Sequence, residues 1–136
     1  MTRLIPLDAD TFVAGQIEPD DMTEIAAAGV ALVINNRPDH EEPGQPLGED
    51  IRAAAQATGL TYRAVPVAGG LSGQQVEAMA QALDEADGKV LAFCRSGTRS
   101  TYLWALAQSR RGADADTLLR QAAAAGYDLT PIVRFL

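Results

Sequence analysis

Two short stretches of this chain are apolar at every position, Val30-Ala31-Leu32-Val33-Ile34 and Val90-Leu91-Ala92-Phe93. Each follows closely on a glycine, Gly29 or Gly88, and stops at polar residues, Asn35-Asn36-Arg37-Pro38 in the first case and Cys94-Arg95-Ser96 in the second. Short, partly β-branched runs bounded in this way read as strands. A strand with no polar face must be covered on both sides, as in a parallel sheet sandwiched between helices. The intervening segments supply those helices. Residues 22–28 carry helix formers after the acids and proline of Glu18-Pro19-Asp20-Asp21, residues 49–58 are alanine-rich and close at Gly59, and residues 74–86 place Val76, Met79, Ala80 and Leu83 at helical spacing. Further helices are expected from Thr98 or Arg99 to Arg111 and over 114–125, and further strands over 11–15 and 60–67, the latter weakened by Pro66. Residues 35–48 contain three prolines and two glycines and read as a loop. The fold class expected is therefore α/β, with a largely parallel central sheet flanked by helices.

At 136 residues with 47% hydrophobic side chains, the chain has the material for one core, so residues 1–136 are read as a single domain. Its apolar runs fall short of the roughly 20 residues of a membrane-spanning helix. The stretch after Arg3 is not a long apolar one and reaches Asp8 at once, so neither a membrane anchor nor a secretory signal is expected, and the expected location is cytoplasmic. Cys94 is the single cysteine and His40 the single histidine, which rules out an internal disulfide and a Cys/His zinc site; no metal and no cofactor is expected. A net charge of -7 has the wrong sign for general nucleic-acid binding. Arginines clustered at one point can still hold an anion in an acidic protein.

That point is Cys94-Arg95-Ser96-Gly97-Thr98-Arg99. A strand, a glycine-containing loop and a helix start turn successive backbone N–H groups toward one place, where the helix dipole also favours negative charge. The same field, with Arg95 and Arg99 beside it, favours the thiolate, the nucleophilic form of a cysteine. Gly97 supplies the positive φ that a tight concave loop needs. Thr98 and Ser100 offer hydroxyl donors to the sulfur or to a bound anion, and Ser96 lies within the loop. Cys94 and Arg99 are the expected catalytic residues, with Arg95, Ser96, Gly97, Thr98 and Ser100 binding the anion. In open α/β sheets ligands bind beyond the carboxyl ends of strands, where Cys94 falls.

The pattern Cys-Arg-x-Gly-x-Arg resembles the active-site loop of rhodanese sulfurtransferases. A wider set of marks, Ala14-Gly15-Gln16-Ile17, Val33-Ile34-Asn35-Asn36-Arg37-Pro38-Asp39, Glu42-Pro43-Gly44-Gln45-Pro46, Cys94 to Ser100 and Gly126-Tyr127-Asp128-Leu129, resembles the phosphatase-like domain of the beta-lactamase-hydrolase-like proteins. The resemblance spans nearly the whole chain. It implies a dual-specificity-phosphatase-like fold, occurring alone or fused to a persulfide dioxygenase of the metallo-beta-lactamase fold, which makes such an enzyme the implied partner.

Two departures from the protein-phosphatase pattern favour sulfur transfer over phosphate-ester hydrolysis. Tyrosine and dual-specificity phosphatases place five residues between cysteine and arginine, whereas four separate Cys94 from Arg99. Those enzymes also protonate the leaving group with an aspartate from the loop after an earlier strand, and residues 64–73 contain no acid. Moving a sulfane sulfur through a Cys94 persulfide needs a thiolate and anion stabilisation but little help for a leaving sulfite. The alternative is a phosphatase working through a Cys94 phosphocysteine, with Asp39, Glu41 or Glu42 swinging in as the acid. A second alternative is a non-catalytic anion-binding regulatory module. In each case the ligand is a small anionic sulfur or phosphate compound. Arg37 has two open readings, lining the pocket with Asp39 or pairing with the Asp39-Glu41-Glu42 cluster. His40 reads as a solvated loop residue, because no nucleophile-elbow pattern surrounds Ser72 or Ser96, and Trp104 reads as core.

Overall fold

In the computed structural model, which describes residues 3–136, the two apolar runs lie side by side at the middle of one sheet. Among the described residues the strands are β1 (Ile5–Pro6), β2 (Thr11–Ala14), β3 (Val30–Asn35), β4 (Thr61–Ala64) and β5 (Lys89–Phe93), in the spatial order β1-β2-β5-β3-β4. β2, β5, β3 and β4 are mutually parallel, and β1 alone runs antiparallel, against β2. A two-residue edge strand ending in proline leaves no periodic signal, so β1 was not legible in the sequence.

Side chains leaving opposite faces of the two central strands enter two separate cores. Leu32, Ile34, Val90 and Ala92 join Val13 on the face covered by α3 (Gly73–Glu85), α4 (Thr98–Arg110) and α5 (Ala115–Ala124). Val33, Leu91 and Phe93 join Ala14 on the face covered by α1 (Met22–Ala27) and α2 (Gly48–Ala57). Both faces are thus buried, as an all-apolar strand requires. An irregularity in the β3/β5 pairing between Val30 and Leu32 resets the alternation, which is why Val30 shares its face with Val33. Trp104 is fully buried in the first core, and its indole N–H donates to Asp8 Oδ2 at 3.2 Å.

Helix starts follow local chemistry. Ser72 caps α3 in a reciprocal box with Gln75, and the Asp114 side chain accepts from Thr117 N–H at the start of α5. The acids and proline before α1 form a 3₁₀ turn, Pro19–Asp21. A second 3₁₀ turn, Thr130–Phe135, ends the chain and carries no periodicity by which the sequence could announce it. β4 is shorter than the expected strand because Pro66 has no N–H. Its neighbours nevertheless keep the chain extended, with Val65 N–H donating to Asn35 O and Val67 N–H to Asn36 O, both at 2.9 Å. No helix among the described residues is long and apolar enough to cross a membrane.

Four parallel strands bring the loops that follow them to one edge of the sheet, and the loop after the central strand β5 begins with Cys94. Because Phe93 is fully buried at the end of that strand, Phe93→Ala should cost about 3–5 kcal/mol. Urea unfolding would show it as a lowered midpoint; a cost below about 1 kcal/mol would contradict the packing described.

Candidate active site

β5 ends at Phe93 and α4 begins at Thr98, so the chain has residues 94–97 in which to turn from sheet to helix. The turn is made at Gly97, whose φ of +90° lies in the left-handed region. Gly97 is also the residue that tolerates no side chain, since a Cβ there would run into the phenol of Tyr127. With the chain bent in this way, Gly97 N–H donates to the Cys94 sulfur at 3.1 Å. The sulfur, 1% exposed as a residue, therefore sits against the amino end of the thirteen-residue α4, where backbone dipoles favour negative charge.

Arg99 leaves the first turn of α4 and is fixed by three acceptor contacts. Its Nη1 donates to Glu41 Oε2 at 2.7 Å and to the Val67 carbonyl at 2.8 Å, and its Nη2 donates to Glu41 Oε1 at 2.9 Å. Glu41 thus takes the outer fork of the planar group. The Nε–H and the remaining Nη2 proton share the other edge and form a second two-pronged donor of the kind that grips an oxyanion. Glu41 is itself held from behind by Arg37 Nε at 2.8 Å; Arg37 also donates to Glu42 Oε1 at 2.6 Å and to Gln16 Oε1 at 3.0 Å. Glu42 Oε1 in turn meets Arg95 Nε at 3.1 Å. Three guanidiniums and two carboxylates leave net positive charge beside the sulfur of an acidic protein.

These contacts set the proton affinities. The bond from Arg99 holds Glu41 at about 2, well under the usual 4.5, against the opposing effect of burial and with Arg37 adding to it. Arg99 is pushed up chiefly by Glu41, with burial opposing and the Cys94 charge reinforcing. Tyr127 is pushed up by burial first and by the Cys94 charge second, so it stays a hydrogen-bond donor.

The structure brings Cys94, Arg95, Ser96, Gly97, Thr98, Arg99 and Ser100 together as one turn, but not in equal roles. Arg95 points outward, two-thirds exposed, while the Ser96 and Thr98 hydroxyls lie 3.1 Å apart at the rim. Ser100 Oγ is fully buried and makes no hydrogen bond to protein. Arg37, with a 3% exposed side chain, pairs with the acid cluster and does not stand free in the pocket. Asp39 faces elsewhere: its Oδ1 accepts from Gly48 N–H at 2.8 Å, at the start of α2. The carboxylates that reach the loop are Glu41's, on Arg99, and Glu42's, on Arg95. His40 is exposed with a φ of 67°, a loop residue as its surroundings suggested. Sequence spacing could not have found Val67, whose carbonyl helps fix Arg99 across 32 positions, because that pairing exists only once the chain is folded. Thr101, whose hydroxyl donates to Gly97 O at 2.8 Å, stands at the local spacing of four at which a helical threonine back-bonds, so that signal is present in the sequence.

A buried strand-end cysteine, a short loop, a helix start and an arginine, on a parallel sheet clad by helices, define a domain of the cysteine-phosphatase-like class. The chain belongs to the family of the beta-lactamase hydrolase-like protein, phosphatase-like domain, which it matches over residues 4–111. It is 35% identical over 136 residues to a beta-lactamase hydrolase-like protein of Xylella fastidiosa strain 9a5c, covering 98% of this chain and 32% of that protein, so it spans about a third of the relative's length. Among solved structures it is similar to a Neisseria meningitidis protein that carries a provisional phosphatase name, with a TM-score of 0.82 and 32% identity over 96% of this chain and 93% of the other. It shares its fold with P. aeruginosa TpbA, solved as a cysteine-to-serine form in complex with phosphotyrosine; there the TM-score is 0.66 and the identity 16%, over 93% of this chain and 75% of TpbA.

Gly97→Ala should destabilise the protein by about 1–3 kcal/mol, through the left-handed backbone and the Tyr127 contact together. Unchanged thermal stability would show that the turn is not fixed as described. The Glu41 ion pairs carry their own signature, because the folded-state value lies below the ordinary one. Their contribution is complete above about pH 4.5 and is lost as pH falls toward about 2. Denaturation of the unaltered protein and of Glu41→Gln should therefore differ at pH 6 and converge between pH about 4.5 and about 2. A difference that persists to pH 2 would contradict the pairing.

Proposed function

We propose that this domain is a cysteine-dependent phosphatase for aryl phosphate monoesters, acting through a Cys94 phosphocysteine. The observation that carries the reading is the Cys94 sulfur 3.1 Å from Gly97 N–H at the amino end of α4, with one edge of Arg99 left open beside it. The phosphatase-like family and the phosphatase name of the Neisseria meningitidis relative weigh in the same direction. They reverse the order of the two enzyme readings that the sequence favoured.

In the first step the Cys94 thiolate attacks phosphorus, an S–P bond forms and the bond from phosphorus to the leaving oxygen breaks. Backbone N–H groups of residues 95–100 and the Nε–H and Nη2–H of Arg99 take up the charge on the phosphoryl oxygens. In the second step water attacks phosphorus, the S–P bond breaks and the thiolate returns with release of inorganic phosphate. Ser100 Oγ, buried and without a partner in the resting fold, is a hydroxyl available to the sulfur or to the anion in this step. Glu41 holds Arg99 in place. It cannot also be the acid, because a carboxyl held at about 2 carries no proton at neutral pH. Asp39 is committed to Gly48, Glu42 is paired with Arg37 at 2.6 Å and Arg95 at 3.1 Å, and residues 64–73 contain no acid.

A site with no uncommitted carboxyl to serve as general acid favours leaving groups that depart as stable anions. Phenolate is one, and phosphotyrosine, seen bound in TpbA, is an aryl phosphate. Hydrolysis of p-nitrophenyl phosphate or phosphotyrosine should exceed that of phosphoserine by about 10²–10⁴-fold in kcat/KM, the usual worth of general acid catalysis. Cys94→Ser should abolish both reactions. Equal rates on aryl and alkyl esters would show that a proton donor operates here after all.

Two observations favour a second reading, sulfur transfer: the loop of four residues between Cys94 and Arg99, one shorter than in tyrosine phosphatases, and the absence of an acid from residues 64–73. Here the thiolate attacks the outer sulfur of thiosulfate, sulfite leaves, and the persulfide passes its sulfur to an acceptor thiol or cyanide, alongside a persulfide-oxidising partner. Formation of thiocyanate from thiosulfate and cyanide, abolished by Cys94→Ser, would support this reading in place of the first.

A further inference from the structure

A loop whose N–H groups converge on one point must turn its carbonyls outward, and each outward carbonyl needs a donor of its own. In this loop the carbonyls of residues 95, 96 and 97 are met from three directions. Arg95 O accepts from Gln16 N–H at 3.3 Å, Ser96 O from the Tyr127 hydroxyl at 3.0 Å, and Gly97 O from Thr101 N–H at 2.9 Å and the Thr101 hydroxyl at 2.8 Å. The second contact differs from the others in its consequence. Ser96 C=O and Gly97 N–H belong to the same planar trans peptide unit, so their directions are opposed. Holding the carbonyl out on Tyr127 aims the N–H in at the Cys94 sulfur, where it makes its 3.1 Å bond.

We propose that Tyr127 is a positioning residue of the site: its hydroxyl clamps the 96–97 peptide so that the Gly97 amide points at the sulfur and at the anion above it. The clamp comes from outside both the loop and α4. Tyr127 lies just after α5, with its own N–H bonded to Ala122 O at 2.9 Å. The fit is close enough that Gly97 has no room for a Cβ against the phenol. Gly15 is constrained in the same way on the other side of the loop, since a Cβ there would lie 2.9 Å from Arg95 O, beside the Gln16 N–H that holds it. Two sequence marks remote from the cysteine, Ala14-Gly15-Gln16-Ile17 and Gly126-Tyr127-Asp128-Leu129, thereby acquire a common role, since each fixes one peptide of the anion loop from behind.

The inference rests on the anion-binding reading of the loop, and the test separates the two. Inorganic phosphate is titrated into the unaltered protein and into Tyr127→Phe by calorimetry, with thermal melting and p-nitrophenyl phosphate kinetics on both. Tyr127→Phe keeps the ring and its packing and removes only the donor. Phosphate should bind about tenfold more weakly to the variant, and kcat/KM should fall by a similar factor, with little change in melting temperature. A merely structural tyrosine would lower the melting temperature and leave the affinity of the folded protein alone; equal affinities overturn the clamp while the loop reading stands. A wild-type protein that binds no phosphate overturns both.

Discussion

At the end of a central strand the buried Cys94 sulfur accepts from the Gly97 amide, 3.1 Å away. That contact is possible because the chain reverses direction within residues 94–97, and the reversal depends on the left-handed conformation of Gly97. The strand leading into the turn is fixed by burial on both faces, through Leu91 and Phe93 to one core and Val90 and Ala92 to the other. The helix leading out is anchored by Leu103 and Trp104, both fully buried. The reactive atom is thus set by rigid elements before and after it. Only the intervening peptides are left to be held by other means.

Electrostatics follows from the same placement. A chain with a net charge of -7 concentrates Arg37, Arg95 and Arg99 around one loop and balances them with Glu41 and Glu42. Glu41 directs the fork of Arg99 and does not neutralise the site, because Nε–H and one Nη2 proton stay outside the Glu41 pairing and the arginine still feels the Cys94 charge. The same commitment holds the Glu41 carboxyl at about 2, so the group that orients the arginine is not a proton source at neutral pH.

Much of this was legible in the sequence where local pattern and structure coincide. The all-apolar runs at 30–34 and 90–93 imply a doubly covered parallel sheet, and the Cys94-to-Ser100 string sits where that sheet places a binding loop. Positions that depend on folding were not legible. Residues 41 and 99 are 58 positions apart, and 96 and 127 are 31 apart, so no periodicity relates them. Asp39 and Glu41 are equivalent in sequence, two acids in one proline-rich loop. The difference between them arises when α2 docks and claims Asp39 for the Gly48 amide. The choice between phosphate and sulfur chemistry was also beyond spacing alone, because the four-residue loop and the missing acid weigh toward sulfur transfer while the phosphatase-like family and its phosphatase-named relative weigh toward phosphate.

The most direct test of the central claim is the mass of the Cys94-containing peptide after an acid quench during turnover of an aryl phosphate. The account predicts a phosphoryl group on Cys94, absent in Cys94→Ser and labile to later hydrolysis. Release of product with Cys94 never phosphorylated, or a Cys94 that acquires sulfur from thiosulfate but no phosphoryl group from any aryl ester, would contradict it.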